Sequence, residues 1–250
     1  MTDTEKIVTK TKEYILKLYS EGYSTHQNMV SGLKNGIDYF VGRNDNIETI
    51  KDEIIATCLK EYALQTKVFD KSGHLKMVDA IKFGFIHFVS GLNIDELTDV
   101  SPLPFERRIR KEESEILTAA LKDKFDFGTW KDENYYWEPL SQTQNKVPLI
   151  YFEDELFKSK DVEKVVEIIK SISGDRIYLL TEESINYEIE TSTLEFDLIE
   201  SAYCNFETDW LIYISHEGTI TFSGQKLITG IQNKLTEIIK HKNPWDKNIR

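Results

Sequence analysis

Cysteine is nearly absent: Cys58 and Cys204 are the only two in 250 residues, far apart and each in apolar surroundings. That excludes a disulfide framework and points to reduced thiols in the cytoplasm. Histidine is scarce as well. No two of His26, His74, His87, His216 and His241 stand four residues apart, and no Cys-x-x-Cys occurs, so a zinc site has no sequence support. No apolar run reaches bilayer length; the densest, Phe83 to Val89, is broken by Gly84 and His87. The N-terminus has acids at Asp3 and Glu5 and no apolar core, unlike a signal peptide. Asp126-Phe-Gly128 matches a kinase metal-binding triplet, but no glycine-rich phosphate loop or His-Arg-Asp loop precedes it, so the match is chance. The sequence therefore predicts no metal, no cofactor and no membrane span.

Positive charge is the next shortage. The chain carries a formal net charge of -12 and has one basic cluster, Arg107-Arg-Ile-Arg-Lys111. Glu112, Glu113 and Glu115 follow it at once and can pair with it on a solvated helix face. Nucleic acid is thus an unsuitable partner. The acidic excess is also localised: residues 147–225 hold 17 acidic against 5 basic residues.

What is present is a globular composition, 40% hydrophobic and 30% charged, long enough to bury one or two cores. Up to about residue 124 the pattern is helical. Apolar residues recur at helical spacing over 4–20, 24–40, 47–62, 77–89 and 107–124, with Gly32 and Gly36 weakening the second helix. The segment 77–89, apolar on most sides, reads as the centre of a bundle. An aromatic loop follows (Phe125, Phe127, Trp130, Tyr135, Tyr136, Trp137), expected to cement the two halves by interdomain packing rather than to form a recognition surface. After it, 138–146 reads as a linker.

Beyond the linker, strands are expected at 148–152, 176–180, 185–189 and 194–199, with a helix at 161–172. Trp210, Ile212 and Ile214 alternate with Leu211, Tyr213 and Ser215 in a further strand. His216-Glu217-Gly218 turns the chain, and Ile220 and Phe222 continue against Thr219 and Thr221, which suit a solvated sheet face. A helix from 225 to 240 follows. The expected class is α+β: an N-terminal helical bundle (1–140), then a mostly antiparallel sheet with helices on one face (147–245).

Two chemistries are conceivable in the hairpin. Ser215, His216 and Glu217 could supply a nucleophile and base, although turn residues closing a hairpin are far commoner. Cys204 and His216 could form a thiol–imidazole pair in a small hydrolase. The stronger signal is the row Glu182, Glu183, Glu188, Glu190, Glu195, Asp197, Glu200, Glu207 and Asp209, with no Lys or Arg among them. Like charges on neighbouring strands cost stability. Keeping them suits a surface that steers and holds a basic protein. A self-assembling structural protein is a third class.

The hairpin Trp210-x-x-Tyr213-x-Ser215-His216-Glu217 with Thr221-Phe222-x-Gly224 resembles a motif in small bacterial proteins associated with polymorphic toxin–immunity systems. The resemblance covers about the last third of the chain. It implies a cytoplasmic immunity protein, not an enzyme, that blocks a toxin by direct binding; the acidic block would suit a basic toxin domain.

Overall fold

The computed structural model describes residues 1–22, 24–43, 46–67, 74–127, 147–181, 185–198 and 200–243. They divide into two compact units, Met1–Arg108 and Ile109–Arg250.

The first unit packs four helices, α1 (Asp3–Glu21), α2 (Ser24–Ile37), α3 (Ile47–Thr66) and α4 (Leu75–Gly91), and ends in a short strand, β1 (Glu106–Arg108). A capping box starts α1: Thr2 Oγ1 accepts from Glu5 N at 3.2 Å, and Glu5 Oε2 accepts from Thr2 N at 2.6 Å. The centre of the bundle is α2, whose Met29, Val30, Leu33 and Ile37 are all fully buried. The segment expected there, now α4, buries only Ile81, Phe85 and Val89 and leaves Phe83 62% exposed. Its apolar run is wide, but a single stripe meets the other helices. The reason α2 takes the centre lies in Gly32 and Gly36. A Cβ built on Gly36 would come within 2.5 Å of Cys58 Cα, and one on Gly32 within 2.7 Å of Tyr62 Cα. These glycines let α2 and α3 meet backbone to backbone, which offsets their poor helix propensity.

The second unit opens with α5 (Lys111–Phe125). It continues through β2 (Leu149–Glu153), α6 (Ser159–Ser173), β3 (Arg176–Thr181), β4 (Tyr187–Glu190), β5 (Ser201–Cys204), β6 (Leu211–Ser215), β7 (Thr219–Ser223) and α7 (Gln225–Lys234). Its strands lie in the order β4-β3-β5-β6-β7-β2, and every pairing among them is antiparallel. On one face Ile177, Tyr203, Ile212, Ile214 and Phe222 meet Val165, Ile168 and Ile169 of α6 and Leu227, Ile228 and Ile231 of α7. Trp210 anchors this core, its Nε1 donating to Ser173 Oγ at 2.6 Å.

The other face is covered too. Leu117, Leu121 and Phe125 of α5 pack on Leu180, Ala202, Cys204, Leu211 and Tyr213. This explains why the chain divides after Arg108 and not at the 138–146 linker, which lies outside the described residues. The apolar stripe of α5 belongs to the sheet. Phe127 is buried edge-on against Tyr213, with ring centroids 5.7 Å apart, so this part of the aromatic loop packs within the second unit. Trp130, Tyr135, Tyr136 and Trp137 lie outside the described residues. Thr219 and Thr221, expected on a solvated face, are fully buried.

One strand is misplaced by periodicity. Residues 194–198 form no strand: Leu194 joins the core, and Phe196 packs edge-on against Phe157 at 5.2 Å. The strand is β5, Ser201–Cys204, whose four residues are all buried. A strand covered on both faces need not alternate in polarity. Among the described residues no helix is long and apolar enough to cross a membrane.

Candidate functional site

Strand register gathers several turns at one end of the sheet. Glu153 at the end of β2 and Ser215 at the end of β6 both face Thr219, the first residue of β7. Ser201, at the start of β5, faces Ile214. The β6–β7 turn, the residue before β5 and the segment after β2 therefore share this end. Gly218 takes φ 71°, which the tight turn requires, and its carbonyl accepts from Asp154 N at 3.0 Å. The end carries Glu153, Asp154, Glu155, Glu200 and Glu217. Among the described residues, Glu153, Asp154 and Glu155 enter no ion pair.

Glu200 is the best-held of these carboxylates. It sits at φ 54°, unusual for a residue with a Cβ. Its Oε2 accepts from Tyr213 Oη at 2.6 Å and its Oε1 from His216 N at 2.9 Å. The same Oε1 contacts His216 Nδ1, while His216 Nε2 lies 3.2 Å from Glu217 Oε1. Burial alone would push the Glu200 carboxyl up, but the bonds from Tyr213 and His216 together outweigh it and hold the group below its usual range. A depressed carboxyl stabilises the fold above its unfolded pKa, near about 4.3, and that contribution is lost as pH falls through the lower folded value. Glu200→Gln should therefore flatten the loss of stability between about pH 5 and 3. Denaturant midpoints measured across that range check this; parallel curves for the two proteins would refute it.

Four of the other acidic residues singled out in sequence, Glu188, Glu190, Glu207 and Asp209, lie away from this end. Glu207 and Asp209 lie in the β5–β6 connection, at the opposite end of the strands. Asp209 is 3.9 Å from Lys124, and Glu207 Oε2 accepts from Asn205 Nδ2 at 3.1 Å. Glu188 and Glu190 point to the side of β4 opposite Ile189. Arg176 approaches Glu188 to 3.6 Å, and Ser192 donates to Glu190. Glu195 and Asp197 are exposed in the loop that replaces the expected strand. Glu182 and Glu183 lie outside the described residues. The predicted row is thus no single patch, because an antiparallel sheet sends alternate turns to opposite ends. Of that row Glu200 is held at the anionic end, joined by Glu153, Asp154, Glu155 and Glu217, which the row had left out. Their signal was the position of three consecutive acids just after a buried strand.

The thiol–imidazole pair does not form. Cys204 faces Leu211 across the sheet, and His216 lies five residues further along, about 16 Å at strand spacing. Burial pushes both the Cys204 and Cys58 thiols up. Neither should react with Ellman's reagent until the chain is denatured; prompt release of thionitrobenzoate from the native protein would contradict this. Ser215 Oγ accepts from Glu217 N at 3.1 Å, as a residue closing a turn does.

The first unit holds a charged cluster that sequence reading missed. Lys12 is 5% exposed and Asp38 fully buried. Lys12 Nζ lies 2.8 Å from Asp38 Oδ1 and 2.6 Å from Glu106 Oε2, and Lys34 Nζ lies 3.3 Å from Glu106 Oε1. Neither Asp38 oxygen has a well-aligned hydrogen bond, so the attraction there is Coulombic. Burial pushes the Asp38 carboxyl up against the pull of Lys12, whereas for Glu106 the two lysines outweigh burial and hold it down. The cluster ties α1 and α2 to β1, where Arg108 N donates to Asp38 O at 3.1 Å. It reads as a clamp. The available signal was Lys12 itself, placed between Val8 and Ile15 on the buried stripe of α1.

No family model, no curated protein and no solved structure matches this chain.

Proposed function

We propose that this chain is a non-catalytic binding module that holds a basic protein partner at the anionic end of its sheet, in the manner of an immunity protein neutralising a basic toxin domain. One observation carries the reading. Glu153, Asp154, Glu155, Glu200 and Glu217 converge on one end, and the carboxylates of the first three enter no ion pair among the described residues, the nearby Lys158 Nζ donating to the Glu155 carbonyl at 2.8 Å. Several carboxylates elsewhere in the unit are ion-paired: Asp209 with Lys124, Glu188 with Arg176, and Asp175 with Lys170 at 3.7 Å. Uncompensated like charge in one place costs folding energy and creates a field that accelerates capture of a cationic surface. The sequence resemblance of the β6–β7 hairpin to proteins of toxin–immunity systems points the same way.

Affinity purification of the chain from its source, with the bound proteins identified by mass spectrometry, tests the reading. A stoichiometric basic protein released by raised salt is expected. Recovery of no such protein, or of one held equally well at high salt, would count against it.

A further inference from the structure

The β6–β7 turn sets an imidazole between two carboxylates, and each ring nitrogen meets one of them. His216 Nδ1 contacts Glu200 Oε1, and Nε2 lies 3.2 Å from Glu217 Oε1. A neutral imidazole carries one N–H and one bare lone pair, and the lone pair repels a carboxylate. Only the imidazolium donates from both nitrogens. Among the described residues no lysine or arginine pairs with either carboxylate, so the ring is the one cation that serves both. The two carboxylates are held unequally. Glu200 is 16% exposed in its side chain and is fixed by Tyr213 Oη and His216 N, whereas the Glu217 side chain is 59% exposed and has the ring as its partner. Two further acids stand at the turn: Asp154, whose N donates to Gly218 O, and Glu153, which faces Thr219.

We infer that His216 is a pH gate on the anionic end. As an imidazolium the ring bridges Glu200 and Glu217 and cancels one of their charges. On losing a proton it keeps a single N–H. The fixed Glu200 retains that donor, and the exposed Glu217 swings free of the lone pair. The end then carries one more negative charge and one released carboxylate, so capture of a cationic surface strengthens as pH rises through the titration of the ring. Carboxylates and phenols ordinarily titrate well outside neutral pH, which leaves the imidazole as the group at this end that changes charge there. The switch stands on the ring geometry; its consequence deepens the reading of the chain as a binder of basic protein and rests on it.

Two measurements on the full chain test the gate. The first is an NMR titration of the histidine rings, with His216 assigned by the loss of its signals in His216→Gln. Its midpoint should drop by about one unit or more in Glu200→Gln with Glu217→Gln. Glu217→Gln alone, at an exposed side chain, should show part of the drop and guards against a disturbed turn. A midpoint that stays put without the carboxylates would overturn the gate. The second is calorimetric titration with blocked hexa-lysine, whose ammonium groups stay charged throughout, at about pH 6 and about pH 8.5. The parent's affinity should rise by about threefold or more beyond any rise in His216→Gln. The other four histidines titrate in both proteins and drop out of the comparison. The same pH dependence in the two proteins would overturn the gate and leave the anionic end standing. Absence of binding in both proteins at both pH values would instead overturn the reading of the end itself, and the gate's consequence with it.

Discussion

Replacing Lys12 with methionine should destabilise the chain by about 3–5 kcal/mol, because removing one partner of a buried ion pair strands the other. Asp38 is fully buried, and Lys12 Nζ is its nearest cation at 2.8 Å; Lys34 stands 3.9 Å away. Without Lys12, Asp38 must stay charged in a poorly solvated place or take up a proton. Glu106 keeps Lys34 and loses less. Replacing the pair together, Lys12→Met with Asp38→Leu, should recover much of the loss, since hydrophobic residues of similar volume often substitute for a buried ion pair at little cost. Urea denaturation of the two single variants and the double variant gives the coupling. A cost below about 1 kcal/mol for Lys12→Met would show that the pair behaves like a surface one.

The second large effect runs against helix propensity. Gly→Ala inside a helix ordinarily stabilises by about 0.5–1 kcal/mol. At Gly36 the sign should reverse. The new methyl would stand 2.5 Å from Cys58 Cα, a backbone atom that no rotamer change can move aside. Overpacking of this kind costs about 1–3 kcal/mol, and forcing α2 and α3 apart also loosens the contacts of Leu33 and Ile37. A net loss of about 2 kcal/mol is expected for Gly36→Ala, and a larger one for Gly36→Val. The control is Gly91→Ala at the end of α4, where an added Cβ meets nothing within 4 Å. It should be close to neutral. A stabilising Gly36→Ala would mean that the helices do not approach so closely.

The same glycines show where sequence patterns succeed and where they stop. The alternation of Trp210, Ile212 and Ile214 against Leu211 and Tyr213 assigned each residue to its correct face, because strand geometry leaves no other choice. The helical stripes of α1, α2, α3 and α6 were legible for the same reason. That of α5 was legible only in part, because the helix expected from residue 107 begins at Lys111 after a strand at Glu106–Arg108, and Ile116 on its apolar run stays exposed. Patterns could not tell which glycine is a weakness and which an instrument of packing, since that depends on the neighbouring helix. They also could not show that a second layer, α5, covers the face where Thr219 and Thr221 stand. A β-branched hydroxyl residue fits a solvated strand and a buried one equally well.

The candidate site was half legible. Excess negative charge in 147–225 is a property of composition, and the structure keeps it there. Its distribution over the surface is a matter of topology. Glu200 and Glu207 are seven residues apart in sequence and lie at opposite ends of β5, whereas Glu153 and Glu217 are 64 apart and flank the same residue, Thr219. Lys124 comes from α5 to stand 3.9 Å from Asp209, an approach that local spacing does not encode.

The most direct measurement of the central claim is the association rate of the co-purified basic partner with two charge-reversed chains, at low and physiological salt. Glu153→Lys with Glu217→Lys should slow association by about tenfold or more at low salt and flatten its salt dependence. Glu207→Lys with Asp209→Lys adds the same charge at the other end of the sheet and should leave the rate within about twofold. Equal slowing by the two variants would reduce the effect to net charge and contradict a localised site. An unchanged rate in both would remove electrostatic capture from the account altogether.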